Sequence, residues 1–194
     1  MTSFIAEVLQ KLKNQKEDFS GLTFILPNKR AGLFLRQELS KQFTQASFLP
    51  EICSIESFIE ELSQLKKVSS IELLFEFYSV YKSLTPKDKV EPFDKFSKWV
   101  TIVVQDFNEI DRYLVSPPKI FDYISEVQKM NHWSLGPNPT KMIKAYLYFW
   151  QQIKEYYFSF NQQLTDKGVG YQGLMYRAAV ENLEDYIQNT RRGE

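Results

Sequence analysis

Apolar residues recur at three- and four-residue spacing behind Thr2 and Ser3, at Phe4, Ile5, Val8, Leu9 and Leu12, and predict a capped amphipathic helix. A polar stretch from Lys13 to Ser20 and then Gly21 separate it from a short apolar run, Leu22 to Leu26. Pro27 stops that run, because it has no N–H to give a sheet ladder. Asn28 stands where a helix N-cap belongs, and Ala31, Phe34, Leu35 and Leu39 carry helical spacing onward. Phe48 to Cys53 reads as a second extended segment, after which Ser54 caps a helix with Ile55, Phe58, Ile59 and Leu62 on its apolar face. The first 65 residues thus alternate helix, strand, helix, strand, helix, the order of a small parallel α/β unit.

Beyond residue 66 the pattern becomes helical, and no strand is expected. Ser69 and Glu72 form a capping box in front of a helix whose expected core face is Ile71, Leu74, Phe75, Tyr78 and Tyr81. Thr85 to Pro92 is a charged turn, followed by a broad apolar stripe at Phe93, Phe96, Trp99, Val100, Val103, Val104, Phe107 and Ile110. Ser116-Pro117-Pro118 restarts the chain before Ile120, Phe121, Ile124 and Val127. Asn131 to Pro139 is expected to be a loop. A long helix from Thr140 to about Leu164 places Met142, Ile143, Tyr146, Leu147, Trp150, Ile153, Tyr157 and Phe160 inside. Gly168 to Gly173 breaks it, and a last helix carries Leu174, Met175, Ala178, Ala179, Leu183 and Ile187.

The expected fold class is α/β and predominantly helical: a partial parallel Rossmann-like unit with two short strands over residues 1–65, then a helical bundle over residues 66–194. Two parallel strands make no self-sufficient sheet, since parallel sheets are covered on both faces and are usually larger. Either the sheet borrows strands from elsewhere or the chain is a piece of a longer one, and the second is the expectation.

Composition narrows the partners. Lys plus Arg and Asp plus Glu number 24 each, so no global basic field advertises a polyanion, and any such binding must be local. Aromatics reach 15% of the chain, a share spent on a helix-packed core or an interface. The single cysteine, Cys53, forms no internal disulfide and suits a reducing, cytoplasmic setting. One His and one Cys cannot assemble a zinc site of the usual kind. No signal segment and no apolar run of membrane-spanning length is present, so no membrane partner is expected.

Candidate chemistry is sparse. Neither G-x-x-x-x-G-K-[ST] nor G-x-G-x-x-G occurs, so no phosphate-cradling loop is written and no cofactor is expected. The only histidine, His132, falls in the expected loop, and Cys53 in an apolar extended segment where thiols are usually inert. Asp106, Glu109 and Asp111 could gather a metal, but a solvated acidic face partnered by Arg112 is the simpler reading. Tyr156, Tyr157 and Phe158 could stack bases, although aromatics at helical spacing more often form core. Lys29 and Arg30 stand in the first turn of a helix, the unfavourable end of its dipole for a cation. They are either solvated or placed to meet an anion that also uses the free N–H groups of that turn.

Phe24-Ile-Leu-Pro-Asn-Lys-Arg-Ala-Gly-Leu-Phe-Leu-Arg-Gln-Glu-Leu39 resembles motif Ia of superfamily 1 helicases, a strand followed by Thr/Pro-x-Asn-Lys-x-Ala at a helix start. Ser54-Ile-Glu-Ser-Phe58 resembles the next motif, Thr-Phe-His-Ser-Phe, with Glu56 in place of the histidine. Asp106-Phe-Asn-Glu-Ile-Asp-Arg-Tyr-Leu114 is similar to the helical insert that follows. Together these resemble the N-terminal part of AddB-type proteins, in which an inactivated, RecA-like helicase region precedes a PD-(D/E)XK nuclease domain. The chain has no counterpart of the ATP-binding lysine or of the acidic pair that holds magnesium, so the resemblance implies a region without ATPase or nuclease activity of its own. It implies a single-stranded DNA track at Asn28, Lys29, Arg30, Ser54 and Ser57, a C-terminal nuclease domain in the same parent chain and a helicase partner subunit. The alternative is a protein–protein interaction module in which the motifs survive only as fold elements; a small stand-alone enzyme has almost no residue support.

Overall fold

The computed structural model describes residues 3–15, 19–42, 48–133 and 141–191, which fall into two compact units, Met1–Glu61 and Leu62–Glu194. The chain is predominantly helical α/β with two short parallel strand pairs.

In the first unit, α1 (Phe4–Lys13) is capped by Ser3, whose Oγ accepts the Ala6 N–H at 3.2 Å. Strand β1 (Thr23–Leu26) ends where Pro27 begins, and α2 (Lys29–Gln42) carries the crossover to β2 (Glu51–Ser54). The strands pair in parallel, Thr23 opposite Glu51 and Leu26 opposite Ser54. One face of the pair packs Phe24, Leu26 and Ile52 against Leu9 of α1, Leu35 and Leu39 of α2, and Phe19. Gly32 lets α2 approach: a Cβ there would stand 3.3 Å from Ile52 Cγ2. Phe34, which shares the helical spacing, is exposed, whereas Leu35 and Leu39 fill the buried face. The opposite sheet face carries exposed Ile25 and a hydrogen bond from Thr23 Oγ1 to Glu51 Oε2 of 3.0 Å. Helix α3 (Ile55–Ser63) leaves β2 directly.

The second unit holds β3 (Lys66–Lys67), α4 (Ser70–Leu84), α5 (Phe93–Arg112), α6 (Pro117–Trp133), α7 (Lys141–Asp166), β4 (Val169–Gly170) and α8 (Gln172–Arg191). Strands β3 and β4 correct the expectation of no strand beyond residue 66. Two residues carry no readable period; the pair exists because Gly168, at φ 66°, turns the chain out of α7 so that its carbonyl accepts from Lys66 N and that of Gly170 from Val68 N. Residues 131–133 continue α6 rather than forming a loop; the rest of that expected loop, and the side chains of Met142, Ile143, Tyr146 and Leu147, lie outside the described residues.

The core is aromatic. Phe77 of α4 stacks on Phe160 of α7 at 4.8 Å and meets Phe96 and Phe107 of α5 and Tyr156 of α7. Helix α4 therefore buries Leu73, Phe77, Val80 and Tyr81, not the face that includes Ile71 and Phe75, which are 67% and 56% exposed. Ser69 and Glu72 make the expected capping box. Helices α5 and α8 meet at Gly173, where a Cβ would fall 2.2 Å from the Asn108 carbonyl oxygen, and the Gly173 N–H donates to Asn108 Oδ1 at 2.8 Å.

Candidate functional site

Both strands of the first unit run into helix N-termini at the same end of the sheet, β1 into α2 and β2 into α3. In open α/β sheets ligands sit outside the carboxyl ends of the strands. A cleft of about 360 Å³ opens there, and Asn28, Lys29, Ser54 and Ser57 all line it. Four of the five candidates, drawn from two motifs 25 or more residues apart, thus meet at one place. Arg30 is exposed and is not among the lining residues. Arg36 takes its place as the second cation of the lining. It lies two helical turns after Lys29 on the same face of α2, so helical spacing was a signal that could have found it.

Local chemistry fixes the donors. Asn28 Oδ1 accepts the Ala31 N–H at 2.9 Å, the N-cap its position called for, and so satisfies one of the free amides of α2. The N–H groups of Lys29 and Arg30 have no acceptor within the helix and carry the positive end of its dipole. Ser54, buried at the end of β2, accepts the Ser57 N–H at 3.2 Å and lies 3.0 Å from Ser57 Oγ. When Ser54 donates to Ser57, the Ser57 hydroxyl proton is left for a ligand. Among the described residues no carboxylate lines the cleft.

The arrangement can hold an anion but offers no activated nucleophile. Burial pushes the Cys53 thiol pKa up, and the charges of Glu51 and Glu61 add to the shift, so it stays protonated at neutral pH. No protein-family model and no curated protein matches the chain.

The expected solvated face partnered by Arg112 holds for Asp106 and Glu109 but not for Asp111. Among the described residues no three His, Cys, Asp or Glu side chains gather to hold a metal. Glu109 faces Arg112 at 3.8 Å on the surface, whereas Asp111 is fully buried. Its carboxylate accepts from the hydroxyls of Tyr157 and Tyr171, from Asn161 Nδ2 at 3.3 Å, and from Arg177 Nε at 2.6 Å. The partner is Arg177, 66 residues away, because burying a carboxylate demands charge and hydrogen bonds that solvent no longer supplies. Burial, then the neighbouring carboxylate, raises the pKa values of both phenols. Tyr156 is likewise core, its hydroxyl 2.7 Å from Thr85 Oγ1, which removes it as a base-stacking platform. His132 sits in α6.

Proposed function

We propose that the chain is a non-catalytic, helicase-like region of a DNA repair and recombination helicase–nuclease, its first unit a remnant of a RecA-like sheet. The cleft between the starts of α2 and α3 holds backbone phosphates of single-stranded DNA. One observation carries the reading: two separate strand–helix junctions converge on a cleft that combines Lys29, Arg36 and the Ser57 hydroxyl, with no carboxylate among the described lining residues. Cations and small donors at helix N-termini grip phosphates without reading bases. The C-terminal nuclease domain of a parent chain and a helicase partner subunit belong to the same reading.

Fluorescence anisotropy with a labelled oligo-dT strand at low salt tests it. Two phosphate-neutralising cations give a log–log salt slope of about −1.4, so binding should weaken roughly sevenfold between 50 and 200 mM salt. Lys29→Ala with Arg36→Ala should abolish the slope, and Arg30→Ala should change little. Equal binding by wild type and the double variant, or no binding by either, defeats the DNA assignment. ATPase and nuclease assays on the chain alone should be blank; an ATPase signal lost on mutation overturns the inactivated part of the reading. The competing reading, an interaction module without DNA binding, draws on exposed Leu33 and Phe34 of α2 and gains if the anisotropy is flat.

A further inference from the structure

A second cleft, of about 280 Å³, opens within the helical unit. Val68, Leu74, Val104 and Tyr171 supply its apolar surface, with Lys67 and Gln105 beside them and no carboxylate among the lining residues. Strand β3 forms part of its wall and, among the described residues, is paired on one side only. Lys66 N donates to Gly168 O at 3.0 Å and Val68 N to Gly170 O at 3.2 Å. In a parallel ladder the residue between two such donors turns its own N–H and C=O to the other edge. Lys67 therefore offers a backbone donor and acceptor away from β4, and among the described residues no third strand takes them. Lys66 and Lys67 are exposed, and among the described residues neither has an ion-pair partner.

We propose that this cleft docks an extended acidic peptide segment. The peptide backbone adds to the Lys67 edge of β3, one apolar side chain enters between Leu74 and Val104, and flanking carboxylates meet Lys66 and Lys67. Backbone geometry selects an extended segment, because the free N–H and C=O of Lys67 pair with an added strand and not with a helix. Charge selects an acidic one, since two unpaired cations border an apolar recess. A nucleic-acid strand fits less well, because the recess between Leu74 and Val104 is aliphatic and gives a phosphate chain nothing to hold. The inference is independent of the DNA reading of the first unit.

The full chain is titrated with fluorescein-labelled decapeptides carrying Leu, Ile, Val, Phe or Met at the centre and two Glu on each side. At least one should bind saturably, with amide shifts in a ¹H–¹⁵N spectrum at Lys67, Val68 and Gln105. Binding should weaken by about tenfold or more when the central residue becomes Ala, when Glu becomes Lys, or in the Lys67→Glu variant. Val104→Trp should block the recess, and Lys67→Glu, a surface change, covers the case in which that variant does not fold. Lys29→Ala with Arg36→Ala should leave peptide binding unchanged. The proposal fails if no peptide saturates, if Lys67→Glu binds as wild type, or if oligo-dT displaces the peptide. It also fails if sedimentation shows the same face covered by a second copy that Lys67→Glu releases.

Discussion

Asp111 shows how one buried residue ties three helices together. It is the fully buried acceptor for two tyrosine hydroxyls, an asparagine amide and the Arg177 guanidinium, on α5, α7, α8 and the residue before α8. Removing one partner of a buried ion pair leaves the other charge uncompensated, which costs about 3–5 kcal/mol. Asp111→Asn keeps the shape and removes the charge, so it should destabilise the second unit by that amount. Arg177→Met should cost at least as much, because it leaves the fully buried carboxylate without a countercharge and also removes the bonds to the Ile110 and Val115 carbonyls. All three tryptophans follow residue 62, so tryptophan fluorescence in a urea titration reports this unit alone. A midpoint for Asp111→Asn close to wild type would show that the carboxylate does not organise the core. None of this was visible in the sequence, where Asp111 stands beside Asp106 and Glu109, and its partners are 46 to 66 residues distant.

At the scale of the element, what could be read was what lies within four residues. The Asn28 cap, the Ser69–Glu72 box and the stripe Phe96, Val100, Val103, Phe107 depend on i+3 and i+4 neighbours, and each is found where its spacing put it. Helix α4 was misphased for a physical reason. Ile71, Leu73, Leu74, Phe75, Phe77, Tyr78, Val80 and Tyr81 make it apolar on nearly every side, and only its packing against α5 and α7 selects the buried face. The meeting of Asn28 and Lys29 with Ser54 and Ser57 needed the parallel register of β1 and β2, which no local pattern writes. The end of α5 yields a prediction. Leu114, at φ 53°, occupies the left-handed position of a Schellman turn, with Val115 N bonded to Ile110 O at 2.9 Å and Leu114 N to Asp111 O at 3.0 Å. Arg177 Nη2 holds that turn through the carbonyls of Ile110 and Val115. A side chain in this conformation costs about 1–2 kcal/mol, and glycine gives back part of any gain through the unfolded chain. Leu114→Gly should thus raise the stability of the unit by up to about 1 kcal/mol, and Leu114→Val should lower it. A lower urea midpoint for Leu114→Gly would mean that the leucine side chain, not the backbone, is what matters there.

Over the whole molecule the charges cancel, so its response to pH comes from individual sites rather than from a global field. The alkaline side is the more informative. Burial and then Asp111 raise the Tyr157 pKa; for Tyr171 the same two causes act in the same order. In the unfolded chain both phenols titrate near 10. Above that pH the unfolded chain sheds protons that the folded unit keeps, so it binds fewer protons and stability must fall as pH rises. The contribution is complete below pH of about 10 and is lost upward from there by about 1.4 kcal/mol per pH unit for each tyrosine that stays protonated. Arg177 does not oppose this: burial alone would lower its pKa, but the Asp111 carboxylate outweighs that and holds it charged throughout the window. Phenolate absorbance near 295 nm should therefore rise in two stages as pH increases. The later stage is the buried pair, which ionises only together with the change in tryptophan fluorescence that marks unfolding. Tyr157→Phe and Tyr171→Phe should shallow the alkaline slope by the share of one tyrosine each, even where they also lower stability at neutral pH. If the buried phenols ionise below the unfolding transition, or if both Phe variants keep the wild-type slope, the Asp111 cluster is not what sets the alkaline limit of the fold.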